Sequence, residues 1–137
     1  MVVLDTDILI GYLRGNDKAI KVILDLKKQE SFLNTTIFNT AELYKGCYAM
    51  KNVAKGLMKV KSLLETLDEI LPFNSDAIEE YAKISADLKK RGLSIGVMDE
   101  LIASVCIIHN ELFYTGNKKH FERIETLSSI NWMEGNK

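Results

Sequence analysis

Apolar residues in this chain fall into short runs and helical spacings that alternate from end to end. Val2, Val3 and Leu4 form a short strand that stops at Asp5. Ile8, Leu9, Ile10, Tyr12 and Leu13 carry the chain straight into a helix, which Gly15 ends. Ala19, Ile20, Ile23, Leu24 and Leu26 have the spacing of a second helix, and Ser31–Thr36 reads as a second strand. Asn39 with Glu42 three residues on predicts a capped helix start, the helix running to about Met50. Asn52 is placed to cap the next helix, from about Val53 to Leu67. Glu69–Phe73 is a third short strand, put near a sheet edge by Pro72. Ser75 opens a long amphipathic helix with Ile78, Tyr81, Ala82, Ile84, Ser85 and Leu88 on one side and Gly92 at its end. Met98–His109 is a helix apolar nearly all round, which should be buried against the sheet. Leu112–Thr115, a short helix over Lys118–Ile124 and a last strand over Ser128–Trp132 complete the chain.

Short strands alternating with helices imply an α/β fold, with a mainly parallel sheet of roughly five strands covered on both faces. The 137 residues suit one domain over 1–137, and the single proline and lack of repeats or low-complexity stretches leave no linker. The hydrophobic and charged fractions, 47% and 27%, are those of a globular chain. No apolar run is long enough to cross a bilayer, and Asp5 interrupts any leader-like start, so a cytoplasmic protein without membrane contact is expected. A net charge of −1 argues against coating nucleic acid by bulk electrostatics, though not against a few local cations holding a short run of phosphates. Cys47 and Cys106 lie in apolar helical stretches without a CxxC or Cys/His cluster, so they read as buried small hydrophobes. His109 and His120 stand apart from each other and from the cysteines, and no nucleophile elbow is visible.

Ligands of parallel sheets bind outside the carboxyl ends of the strands, so the polar residues that follow each strand carry the chemistry. Asp5 ends the first strand, Asp7 follows by two residues, and Glu42 opens the helix after the second strand. Asp99 opens the buried helix, and Asn117 follows the fourth strand. Each also has a local explanation. Glu42 can complete a capping box, Asp99 and Asp7 can complement a helix N-terminus, Asp5 can cap a helix and Asn117 can make a turn. Their shared topological side is the stronger observation. Several carboxylates meeting there repel unless protons or a cation neutralise them, and hard oxygen ligands suit Mg²⁺ or Mn²⁺.

Val3-Leu4-Asp5-Thr6-Asp7-Ile8-Leu9-Ile10 resembles the opening motif of the PIN-domain family. Asn39-Thr40-Ala41-Glu42-Leu43-Tyr44-Lys45-Gly46 resembles its second motif, and Gly96-Val97-Met98-Asp99-Glu100-Leu101-Ile102-Ala103 its third. Leu112–Phe121, in which a strand leads to Thr115-Gly116-Asn117 and then Phe121, resembles the fourth, and Ile130-Asn131-Trp132 the closing strand. Any one of these motifs is weak; all four, in order over essentially the whole chain, are specific. The resemblance implies a three-layer α/β/α sandwich and a metal-dependent endoribonuclease binding Mg²⁺ or Mn²⁺. Asp5, Glu42 and Asp99 then match the principal catalytic and metal-binding acids. Asn117 matches a fourth catalytic position where some members carry Asp, and an amide there offers an oxygen without charge. Thr6 and Thr115 match supporting hydroxyls, with Asp7 as a further supporting acid.

Small stand-alone members resemble VapC toxins, which implies a homodimer held inactive by a VapB-like antitoxin, with RNA as substrate. Arg14 and Lys45 are candidate RNA-binding cations, whereas Lys51, Lys55, Lys59 and Lys61 read as an ordinary solvated helix face. Other readings remain: a PIN nuclease of RNA processing without an antitoxin, or a degenerate PIN domain that binds RNA or protein without turnover. A haloacid-dehalogenase-like phosphatase fits Asp5-Thr6-Asp7 but has Leu9 where Thr or Val is wanted, and a receiver domain would have Asn74 in place of the phosphorylated Asp.

Overall fold

The computed structural model describes residues 1–134. The elements are β1 (Val2–Leu4), α1 (Thr6–Leu13), α2 (Asp17–Lys28), β2 (Leu33–Thr36), α3 (Ile37–Tyr48), α4 (Val53–Glu65), β3 (Glu69–Leu71), α5 (Ser75–Arg91), α6 (Val97–Ile108), β4 (Leu112–Thr115), α7 (Lys118–Phe121) and β5 (Ser129–Asn131). The strands form one five-stranded sheet in the order β3-β2-β1-β4-β5, with every neighbouring pair parallel. This is the α/β architecture read from the alternating pattern, with β3 at an edge as Pro72 implied. The strand order differs from the 2-1-3-4-5 of receiver-type folds, which removes that rival.

Side-chain alternation along the strands divides the interior into two cores. Val2, Leu4 and Leu33 pack with Ile8, Leu9, Ile23 and Leu63 from the helices α1, α2 and α4. On the other face Val3 and Phe113 pack with Ile84 and Leu88 of α5 and with Ile102 and Val105 of α6. Helices therefore cover both faces and make three layers. The α6 helix is buried as expected, from Ile102 through Cys106. Both cysteines are free and buried.

Caps decided most boundaries. Asp5, Asn16, Asn52 and Asn74 each accept a hydrogen bond from a first-turn backbone N–H of the helix that follows. Gly92, at φ 68°, takes the left-handed conformation that closes α5. Three expectations are corrected. The third helix begins at Ile37, not after Asn39: Thr36 is the N-cap, and Asn39 is the third residue of the helix, completing the capping box that the pattern had assigned to Asn39 and Glu42. The buried stripe of α5 is Ala77, Ile84 and Leu88, whereas Ile78 and Ala82 are exposed. The stripe runs through one face at helical spacing, and Ile78 lies one residue off it. The short helix α7 also stops at Phe121, before the expected Ile124.

Candidate active site

The strand order reverses direction at β1. From there the chain moves to β2 and β3 on one side, and later to β4 and β5 on the other. Such a switch point opens a crevice at the carboxyl ends of the strands, because successive connections leave toward opposite sides. Asp5 follows β1 there, Thr36 ends β2, and Thr115 ends β4.

Asp5 is 8% exposed and fully engaged. Its Oδ1 accepts from the Thr6 N–H at 2.8 Å and from Asn39 Nδ2 at 2.9 Å. Its Oδ2 accepts from the Thr115 hydroxyl at 2.7 Å. These donors favour the charged form, yet the carboxyl is pushed up from its ordinary 3.8 to about 7. Burial is the main cause and the neighbouring Asp7 the next, with Asp99 adding a smaller push; together they outweigh the hydrogen bonds from Thr115 and Thr6. Asp99, in the first turn of α6, is also raised, chiefly by burial, against the lowering influence of His120.

Glu42 joins the cluster from α3 through Thr6, whose hydroxyl donates to Glu42 Oε1 at 2.6 Å. Thr6 in turn accepts from Asn39 Nδ2 at 3.0 Å. Asn39 also accepts the Thr36 hydroxyl at 2.7 Å, so one buried amide links β2, α3, β1 and α1. The pattern of apolar positions marked Asn39 only as a cap. Thr36 and Asn39 standing three apart at a strand end was the available signal for more.

Asp7 sits in the first turn of α1, as its position suggested, but both oxygens are used elsewhere. Oδ2 accepts from the Gly116 N–H at 2.7 Å and Oδ1 from Trp132 Nε1 at 2.9 Å. It clamps the chain beyond β5 and the turn after β4 onto α1. The close approach requires glycine: a Cβ at Gly116 would lie 2.7 Å from Asp7 Oδ2 and 2.6 Å from Met133 Cε.

Asn117 is exposed, with its N–H donating to Thr115 Oγ1 at 3.0 Å and its Nδ2 2.8 Å from His120 Nδ1. The same ring nitrogen is 3.4 Å from Asp99 Oδ2. His120 therefore belongs to the site, although alone in the sequence it carried no signal beyond standing three residues after Asn117. Of the two cations considered, Arg14 lines a largely apolar groove of about 200 Å³ together with Glu42, Leu13, Cys47 and Met50. Lys45 is exposed on α3 and does not line that groove. Lys51, Lys55, Lys59 and Lys61 are exposed on or beside α4, as a solvated face should be, except that Lys59 also lines the groove with Arg14 and Glu42.

Among the described residues no group of three or more Asp, Glu, His or Cys side chains is placed to hold a metal ion. The donor set is instead one of hard oxygens, with two carboxylates, Asp5 and Asp99, each raised chiefly by burial and further by the neighbouring Asp7. A cation such as Mg²⁺, which keeps several waters and takes one or two carboxylates, fits that set.

The PIN domain family model matches residues 2–127. Over 129 residues the chain is 30% identical to ribonuclease VapC1 of Haemophilus influenzae strain R2866, covering 94% of this chain and 96% of that protein. The same identity and coverage hold for ribonuclease VapC2 of Rickettsia felis. Among solved structures, the VapBC2 complex of Rickettsia felis, bound to a DNA fragment from its promoter, contains a chain that superposes with a TM-score of 0.88 at 29% identity, over 96% of this chain and 99% of that one. VapBC-1 of nontypeable Haemophilus influenzae superposes with a TM-score of 0.86 at 31% identity, over 98% of this chain and all of that one. With motifs, sheet order and family match in agreement, the chain belongs to the PIN-domain family.

Proposed function

We propose that this chain is a divalent-metal-dependent endoribonuclease and the toxin of a toxin–antitoxin pair. The observation that carries this is the buried Asp5, oriented by Asn39, Thr6 and Thr115 at the switch point of the sheet, with Asp99 close enough to raise its pKa further. Its kinship with chains named ribonuclease VapC, over nearly its whole length, supports RNA as the substrate.

Asp5 and Asp99 hold the cation, Mg²⁺ or Mn²⁺, with Glu42 and Asn117 completing the oxygen set directly or through water. When bound, the cation supplies activation of water and stabilisation of charge on the phosphate. The remaining residues orient. Thr115 and Asn39 fix the plane of the Asp5 carboxyl, and Thr6 fixes one oxygen of Glu42 and leaves the other free. Asp7 acts as a structural clamp beneath the pocket. Arg14, which lines the groove with Glu42, and Lys45, exposed three residues after Glu42 on α3, each contribute a positive charge toward RNA phosphates.

A VapB-like antitoxin is the expected partner, and the largely apolar groove beginning at Glu42 and Arg14 suits an apolar peptide segment carrying a cation for the acids. The chain acts as a homodimer in the cytoplasm. No helix among the described residues is long and apolar enough to cross a membrane.

The test is cleavage of a mixed RNA pool, structured RNAs included, by purified protein with Mg²⁺ or Mn²⁺, beside Asp5→Asn and EDTA controls. Metal-dependent cutting that the substitution abolishes is the expected result. Intact RNA with a folded, antitoxin-free wild type would favour a binding domain without turnover. A small antitoxin-like reading frame beside the gene separates a toxin from a PIN nuclease of RNA processing.

A further inference from the structure

An amide at the fourth position differs from a carboxylate in one essential way: its two ends are unlike. Only the oxygen of Asn117 can face a cation or accept from water, so the pocket needs something to choose which end faces inward. The backbone of Asn117 is already fixed, its N–H on Thr115 Oγ1 at 3.0 Å and its carbonyl accepting the His120 N–H at 3.1 Å. Its side chain is exposed, so packing does not hold it.

His120 supplies the missing constraint. Asn117 Nδ2 lies 2.8 Å from His120 Nδ1, and an amide nitrogen only donates, so Nδ1 is the acceptor. The neutral ring then carries its hydrogen on Nε2. The same Nδ1 lies 3.4 Å from Asp99 Oδ2, so a ring hydrogen on Nδ1 would pair with that carboxylate instead; the shorter contact, 2.8 Å, is the one to the amide. The His120 side chain is 39% exposed, and its anchor is the chain beside it. Phe121, the next residue, is fully buried and packs edge-on against Phe113, with ring centroids 4.8 Å apart at 73°.

We propose that His120 is a positioning residue: its Nδ1 holds the Asn117 amide nitrogen, leaving the amide oxygen as the neutral fourth oxygen of the acidic pocket. This rests on the nuclease reading above, and it accounts for how an uncharged residue serves where an acid would need no orientation.

The first test needs neither metal nor turnover. Nitrogen-15 spectra of the histidine rings in metal-free wild type should show His120 as the Nε2–H tautomer with Nδ1 accepting, and Asn117→Ala should shift that Nδ1 signal. A ring hydrogen on Nδ1 in the wild type overturns the proposal. The second test is kinetic, on an RNA the wild type cleaves. His120→Phe should lower kcat by about tenfold with KM within about twofold, the size expected from misplacing a pocket group. His120→Asn, whose side-chain oxygen reaches the place of Nδ1, should recover most of the rate, and His120→Gln, which reaches the place of Nε2, should not. In an Asn117→Ala background, His120→Phe should change the rate by less than about twofold, because the ring acts through the amide. Fully additive losses, or no difference between the Asn and Gln replacements, overturn it. RNA left intact by the wild type would sink the nuclease reading, while the ring spectrum still decides whether His120 holds the amide.

Discussion

Asp5→Asn should make the metal-free protein more stable as it destroys the activity. The carboxyl is 8% exposed, and burial with its acidic neighbours raises it from 3.8 to about 7. Between those values the folded state binds more protons than the unfolded chain, so wild-type stability falls as pH rises through that window. At about 1.4 kcal/mol per tenfold change, this one group costs the fold about 4 kcal/mol at pH 8. At pH 5 the unfolded chain has already lost most of its proton, and the cost is about 2 kcal/mol. The new amide fits the same contacts: its oxygen accepts from Thr6 and Asn39, and its nitrogen donates to the Thr115 hydroxyl, which turns to accept. Urea unfolding of wild type and variant in EDTA should therefore show an advantage for Asp5→Asn that grows by about 3 kcal/mol, as an upper bound, from pH 5 to pH 8. Adding Mn²⁺ at pH 8 should stabilise the wild type and leave the variant unmoved. A variant less stable than wild type at pH 8, or an advantage that does not grow with pH, would refute the account of Asp5 as a buried carboxyl kept for function.

Other outcomes follow from the same geometry. Trp132→Phe removes the indole donor to Asp7 Oδ1 and should cost about 1–2 kcal/mol in urea unfolding. Gly116→Ala drives a Cβ to 2.7 Å from Asp7 Oδ2 and should cost about 1–3 kcal/mol. Since both act on one clamp, the double variant should lose less than the sum. Asn39→Ala removes the amide that joins Asp5, Thr6 and the Thr36 cap, and should cost about 2–3 kcal/mol. Its RNA cleavage at saturating Mn²⁺ should fall even at a temperature where circular dichroism shows it folded.

The alternation of short apolar runs with helical spacings determined the order and kind of elements, because amphipathic period is a property of neighbouring residues. The position of Asp5 followed for a related reason: a parallel sheet gathers its carboxyl ends on one side, so an acid just after a strand has its place set by local sequence and topology, whereas Glu42 on α3 and Asp99 on α6 depend on how the helices pack. The near-continuous apolar stretch of α6 likewise determined its burial. Finer choices were not local. Thr36 and Asn39 are both good caps, and which one starts α3 depended on the buried Asp5 that Asn39 reaches across the sheet. Asp7 is a plausible first-turn acid by itself. It became a clamp only because Gly116 and Trp132, more than a hundred residues away along the chain, arrive at its two oxygens. His120 entered the site because β4 pairs with β1, which brings the turn after β4 up to the first turn of α6. Period and capping preference involve neighbours in sequence, whereas hydrogen-bond partners for a buried polar group are settled by whichever chain segment packing delivers to it.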